Sequence, residues 1–352
     1  MNYEYPLLNK VFKHYKDDKI DLSNFCIYSC QHLLAPQYEM YKMFIKFGLN
    51  PKNIFALGKI YSSNTEIIND LREIGIQVIQ PEFYGGSFDS EHKVNCEKLA
   101  SEVSDNNINI ILDDGGYLID ALKDKNIFFA VEQTSSGFRK LENYKIKFPI
   151  FNVARSETKL TQESPIIGRI VFERVKNYTL DNKLESPSIL IVGLGPIGNS
   201  IYQIFSEEKF NVDGFDIEIE RKKLLLYLEN NKPDIVIGAT GTQLLSESDL
   251  TMLNNDHIYH FISASSSDRE FPVSNFRKNN FIHGDVKYKN FIFVNNSFPI
   301  TFKGNKYEAT PIEIEKTIAL LMGSVLHGIS RKENLGNGFV DVSKELENLI
   351  NE

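Results

Sequence analysis

Cysteine is scarce in this chain. Cys26, Cys30 and Cys96 are an odd number among 352 residues, and the C-x-x-x-C of Cys26 and Cys30 has no matching His or Cys pair to complete a metal site. A disulfide scaffold is thereby excluded, and reduced, partly buried thiols with no metal are the expectation. Long basic runs are missing too. Lysine and arginine number 39 against 47 acidic residues, a formal charge of −8, which argues against nucleic acid as a partner. No apolar stretch approaches the length of a membrane span, and Met1 to Lys10 lacks the apolar centre of a signal peptide, so a cytosolic protein with no membrane partner is expected. Internal repeats and low-complexity segments are absent. What is present is a 42% hydrophobic content over a length that suits about two domains with full cores, and a small molecule is the expected partner.

The most specific local pattern is Ile189-Leu190-Ile191-Val192-Gly193-Leu194-Gly195-Pro196-Ile197-Gly198, an apolar strand that runs into G-x-G-x-x-G and then a helical pattern. Gly193 suits the tight turn, Gly195 the close approach of backbone to a pyrophosphate, and Gly198 the packing of helix on strand. Pro196 and Ile197 open the helix whose free N–H groups would hold phosphates. Ile201, Ile204 and Phe205 give that helix an inner face, and Phe210 to Asp216 reads as the next strand. Asp216 stands about where a ribose-binding carboxylate belongs, which favours NAD over NADP because it repels a 2′-phosphate. Asp234 to Gly238 then runs into Ala239-Thr240-Gly241-Thr242, so Thr240 and Gly241 are further candidate cofactor contacts. A packing turn without a ligand is the plainer alternative.

Upstream, Asn24 to Tyr28, Asn53 to Leu57, Gln77 to Ile79 and Asn109 to Leu112 are short apolar runs, separated by helical patterns at Pro36 to Phe47, Thr65 to Ile74 and Val94 to Val103. Ile127 to Val131 and Pro149 to Val153 extend the series. Such alternation predicts a parallel sheet. Ser164-Pro165 reads as an N-cap with proline at the first helical position, opening a helix to about Asn177. The expected architecture is α/β with two doubly wound parallel-sheet domains: a substrate-binding domain over 1–163, a Rossmann NAD-binding domain over 164–305, and a C-terminal helical segment over 306–352 packing back on the first.

Several separate motifs resemble the S-adenosylhomocysteine hydrolase (adenosylhomocysteinase) family over about Asn24 to Gly304. Gln31-His32-Leu33 resembles its first substrate motif and Ile111-Leu112-Asp113-Asp114-Gly115-Gly116 its acidic turn. Glu132-Gln133-Thr134-Ser135-Ser136-Gly137 resembles its nucleotide contact, and Asn152-Val153 through Lys159 and Glu163 its lysine and acid segment. The resemblance implies that bound NAD oxidises a ribose 3′-hydroxyl, that the acidified 4′ proton and a 5′ group then leave, that water adds, and that the stored hydride returns. It implies that Lys159 takes the hydroxyl proton, with burial or Arg155 lowering its pKa, and that Glu163 holds lysine and sugar. Asp114 and His32 would handle the 4′ proton and the leaving group. Thr134, Ser135, Ser136 and Ser164 would contact the nicotinamide side, and Gln133 and Gln37 the substrate. Read alone, Asp113-Asp114-Gly115-Gly116 also suits a turn, Lys159 and Glu163 a solvated i,i+4 pair, and Thr134 to Ser136 a helix start.

The chain departs from the family where substrate identity is decided. Pro36 stands at the adenine-reading position, Gln133 replaces a glutamate, Ser164 an asparagine, and Ile262-Ser263-Ala264-Ser265 lacks the family's histidine, with His260 close by. The G-H-P turn is reduced to Phe298-Pro299, and Pro311-Ile312-Glu313 replaces a helix start. Asn348 to Glu352 carry no counterpart of the tail that completes a neighbouring subunit's NAD site, so a homo-oligomer is left open. The expected function is NAD-dependent oxidation of a nucleoside-type substrate with elimination, hydrolysis or epimerisation. An NAD-binding regulatory protein without turnover is the alternative, and a dehydrogenase using free NAD a third.

Overall fold

The central strands of this chain read as near-continuous apolar runs because they are buried on both faces of a parallel sheet, whereas strands at the sheet edges, such as Asn211–Phe215, are more exposed. A computed structural model describes residues 4–216, 221–253, 256–305, 311–331 and 335–352. The chain divides into two compact units, one of Met1–Glu82, His92–Glu163 and Ala309–Glu352, the other of Phe83–Glu91 and Ser164–Glu308. The expected boundaries differ from these in giving 83–91 to the first domain and 306–308 to the C-terminal segment.

The first unit holds β1 (Phe25–Gln31), β2 (Ile54–Gly58), β3 (Gln77–Ile79), β4 (Ile108–Asp113), β5 (Phe129–Glu132) and β6 (Pro149–Asn152). The second holds β7 (Ser188–Val192), β8 (Asn211–Phe215), β9 (Ile235–Gly238), β10 (Tyr259–Ser263), β11 (Val286–Tyr288) and β12 (Phe291–Phe293); β13 (Gly338–Val340) returns to the first sheet. Among the described residues the first sheet runs β13-β6-β5-β4-β1-β2-β3, all parallel. The second runs β11-β12-β10-β9-β7-β8, parallel except for the β11–β12 hairpin.

Successive side chains alternate between two buried faces. Ile27, Ile110, Leu112, Val131 and Phe151 pack with the helices Pro6–Lys16, Ala35–Lys46 and Pro311–Ser330. Tyr28, Cys30, Ile111, Ala130 and Ile150 pack on the other side with Leu99, Leu118 and Leu122. In the second unit Leu190, Val192 and Val236 face Leu224 and Leu228, while Ile189, Ile191 and Ile237 face Val171, Ile201 and Phe205. Both sheets are therefore covered on both faces, which is the doubly wound arrangement expected.

The C-terminal helix Pro311–Ser330 belongs to the first unit. A Cβ on Gly328 would come within 2.9 Å of the Phe129 ring, and Glu315 accepts a 2.9 Å hydrogen bond from the Leu8 N–H. Two expectations need correction. The helix predicted from Val94 already begins at Phe88, with Asp89 and Glu91 in its first turn. Ser164 is not a cap: a wide π turn, Lys159–Glu163, runs directly into the helix Ser164–Asp181. Pro165 has no N–H to give to the turn before it, which suits an irregular entry.

Candidate functional site

All strands of the first sheet point the same way, so their C-terminal ends share one edge, where open α/β sheets bind ligands. His32 follows β1, Lys59 follows β2, Asp114 follows β4, Gln133 follows β5, and Asn152 ends β6.

Asp114 is the hub of that edge. It is 2% exposed, and its carboxylate pairs with the Lys59 ammonium, accepts from the Gln133 amide, and lies 3.3 Å from His32 Nε2. Burial alone would push Asp114 up, but Lys59 and then His32 draw it well below the usual carboxylate range. Burial would lower Lys59, and Asp114 holds it well above the ordinary lysine value instead. His32 is lowered by burial to about 4, against the pull of Asp114. A neutral imidazole that donates from Nε2 to Asp114 accepts at Nδ1 from the Ser62 hydroxyl, 2.5 Å away, and the hydrogen-bond network assigns that tautomer.

The neighbouring acids shape the turns. Asp113 accepts from the Ile119 N–H at 2.8 Å, which anchors the helix Tyr117–Leu122, and burial raises it to about 6. Glu132 accepts from the N–H groups of Gly115 (3.2 Å) and Thr134 (2.7 Å) and from the Thr134 hydroxyl (2.6 Å); burial, then Asp113 opposite it in register, raises it to about 8. Thr134 caps the helix Ser135–Leu141 by accepting from the Gly137 N–H at 3.0 Å, and Ser136 donates to it at 3.2 Å. The Thr134 and Ser136 hydroxyls thus hold a helix start, and Ser135 is its first residue.

Lys159 and Glu163 are not a solvated pair. Their ammonium and carboxylate are 2.8 Å apart, with side chains only 16% and 19% exposed, and Glu163 also accepts from the Thr317 hydroxyl at 2.9 Å. The charge of Lys159 helps lower both His32 and Asp114, which places it in the same electrostatic neighbourhood. Arg155 instead stacks over the Phe138 ring, 4.8 Å from its centroid.

Buried carboxamides complete the edge. Gln31, Gln37, Gln133 and Asn152 are each at most 5% exposed, and each side-chain oxygen lacks a protein partner among the described residues. Burying such oxygens unpaired is costly, so their arrangement fits a ligand with several hydroxyl donors. Sequence reasoning missed Lys59, Ser62 and Thr317, and it gave no role to Gln31 and Asn152, although both lie in the motifs that carry the family resemblance. Lys59 had a signal, a cation directly after an apolar strand, the position that His32 and Asp114 also occupy, although those two were singled out by the family resemblance. Thr317 had none.

In the second unit the glycine turn is built as its spacing implies. Gly193 has φ +95°, and its N–H bonds the Phe215 carbonyl at 2.7 Å. A Cβ on Gly198 would lie 1.7 Å from the Gly193 carbonyl oxygen, whereas one on Gly195 would meet nothing within 4 Å. The turn is therefore closed toward the sheet and open at Gly195, where Pro196 and Ile197 begin the helix Pro196–Glu207. These positions fit a dinucleotide pyrophosphate. Asp216, exposed, directly follows β8, the strand beside β7. Thr240 and Gly241 are engaged by Glu270, whose carboxylate accepts from their N–H groups at 2.7 and 3.1 Å and from the Thr240 hydroxyl at 2.9 Å. His260 bonds the Tyr178 hydroxyl at 2.8 Å inside the core. No described helix is long and apolar enough to cross a membrane.

These features define a two-unit α/β protein whose second unit carries a Rossmann-type glycine turn. No family model matches the chain. It is similar to an uncharacterised protein of Mycobacterium tuberculosis, found in strains CDC 1551 and H37Rv, with 30% identity over 336 residues that cover 87% of this chain. The chain spans 64% of the length of those relatives. Among solved structures it is similar to a dipicolinate synthase of Bacillus halodurans (10% identity, 88% of this chain and 99% of that one, TM-score 0.47). A second is the NAD-complexed D-isomer specific 2-hydroxyacid dehydrogenase of Lactobacillus delbrueckii ssp. bulgaricus (11%, 88% and 100%, TM-score 0.37). Likenesses this distant carry no argument about what this chain binds. None of these proteins is an adenosylhomocysteinase by name.

Proposed function

We propose that this chain is an NAD-dependent oxidoreductase that acts on a secondary hydroxyl of a polyhydroxylated, nucleoside-type substrate. The observation that carries the reading is the strand-end cluster of His32, Lys59, Asp114 and Gln133 in the unit that also holds the Lys159–Glu163 pair. Gly193, Gly195, Pro196, Ile197 and Gly198 would hold the dinucleotide, with Asp216 on its ribose. When bound, NAD supplies a hydride acceptor for the alcohol carbon.

The chain's own residues handle protons and orientation. The Lys159 ammonium first passes a proton to the paired Glu163 carboxylate, which Thr317 steadies, and the amine so formed takes the proton of the reacting hydroxyl. Gln31, Gln37, Gln133 and Asn152 accept from the substrate's other hydroxyls. Neutral His32, between Ser62 and Asp114, exchanges a proton with the leaving or entering group through the Ser62 hydroxyl that it accepts from. Asp114, kept charged by Lys59, orients His32 and Gln133.

One observation favours the reading of an NAD-binding protein without turnover: a carboxylate tied to Lys59 is a poor acceptor for a carbon-bound proton. Absorbance of NADH separates the two. Purified protein with NAD is offered S-adenosylhomocysteine, adenosine, other nucleosides and free sugars. A rise that stops near one NADH per chain and is absent in Lys159→Ala supports an internal redox cycle. Demonstrated NAD binding with no rise for any compound rejects the enzyme reading for these substrate classes.

A further inference from the structure

Cys30, His92 and Cys96 form a second cluster of reactive side chains, one the redox proposal leaves unused. Cys30 lies in β1, two residues before His32, and His92 and Cys96 lie one turn apart on the helix Phe88–Ala100, so they share a face. Cys30 Sγ is 3.3 Å from His92 Nε2 and 3.8 Å from Cys96 Sγ, and Cys96 Sγ is 3.7 Å from His92 Nε2. All three side chains are buried, none more than 2% exposed.

Zinc bonds of roughly 2.3 Å to sulfur and 2.0–2.1 Å to nitrogen, at tetrahedral angles, place two sulfurs about 3.8 Å apart and sulfur and nitrogen about 3.6 Å apart. The donor triangle has those edges within a few tenths of an ångström. We propose that Cys30, His92 and Cys96 bind a thiophilic cation of the zinc class through two thiolates and a neutral imidazole. Binding releases both thiol protons to solvent, and the two thiolate charges balance a divalent ion, which offsets the cost of holding it in the interior. Sulfur and imidazole donors select against magnesium and calcium, which prefer oxygen.

The C-x-x-x-C spacing did not reveal this site because it pairs the wrong cysteines. Cys26 and Cys30 share a strand and lie about 13 Å apart along it. Cys26 instead donates to the Asn53 carbonyl at 3.1 Å. The helical H-x-x-x-C of His92 and Cys96 is the pair that converges, and β1 brings the third donor.

Phosphine-reduced protein titrated with cadmium, the spectroscopic stand-in for zinc, tests the site. It is examined as purified and after refolding with the metal, so that slow entry is not read as absence. The thiolate-to-cadmium charge-transfer band should saturate at one cadmium per chain, be lost in Cys30→Ser and in Cys96→Ser, and persist in Cys26→Ser. A band absent from both preparations, unchanged in Cys30→Ser and Cys96→Ser, or lost in Cys26→Ser overturns the proposal. One measurement needs no variant: stoichiometric zinc should raise the melting temperature of the reduced protein where magnesium does not. Equal melting temperatures with and without zinc also overturn it.

Discussion

Lys59 and Asp114 are buried together, and removing one member of such a pair strands the other charge in the interior. Lys59→Met should therefore destabilise the chain by about 3–5 kcal/mol, and Lys59→Met combined with Asp114→Asn should recover much of that loss. Urea unfolding midpoints of the two variants check this. Since the folded pKa of Asp114 is depressed, its stabilisation is present above the unfolded carboxylate value and is lost as pH falls toward the folded one. Glu132 has the opposite sign. Its pKa rises from 4.5 to about 8, so across that window the unfolded chain has released a proton that the folded chain keeps, and stability falls as pH rises. Glu132→Gln retains the oxygen that accepts from Gly115 and Thr134. It should flatten the decline in unfolding free energy between these pH values; a slope equal to the parent's would show that Glu132 is not its source.

At the scale of elements, the glycine turn is the part most constrained by contact. Gly198→Ala places a methyl against the Gly193 carbonyl and must push the helix Pro196–Glu207 away from β7. Overpacking of this kind costs about 1–3 kcal/mol, and the free N–H groups would no longer converge. Calorimetric titration with NAD should show binding in the parent and none in Gly198→Ala. Undiminished affinity would remove the turn from the cofactor reading. The π turn Lys159–Glu163 is a second element with a consequence. It joins a lysine and a glutamate that Thr317 then fixes from a helix distant in the chain.

For the whole molecule, anything that binds only the folded chain stabilises it by mass action. NAD at a hundredfold excess over its dissociation constant should add about 2.7 kcal/mol. NADP at the same concentration should add less, because Asp216 repels the 2′-phosphate. Asp216→Ala should narrow the gap. Equal melting shifts with NAD and NADP in the parent would count against Asp216 as the ribose contact. Each unit has its own apolar clusters on both sheet faces, so the chain is long enough to support two cores as its composition implied.

Local pattern by itself determined the alternation of strand and helix, the doubly wound class and the glycine turn, since apolar periodicity and backbone freedom act over a few residues. His32, Asp114, Lys159 and Glu163 were singled out by the resemblance to adenosylhomocysteinases. Local pattern could not separate Asp113 from Asp114, because only packing shows that one anchors a helix and the other meets Lys59. Nor could it see Thr317 beside Glu163, or His92 and Cys96 beside Cys30. Those meetings depend on strand order. The sheet sets β1 between β4 and β2 and returns β13 to β6, so crossover connections decide which strand ends become neighbours, and local pattern carries no record of that choice.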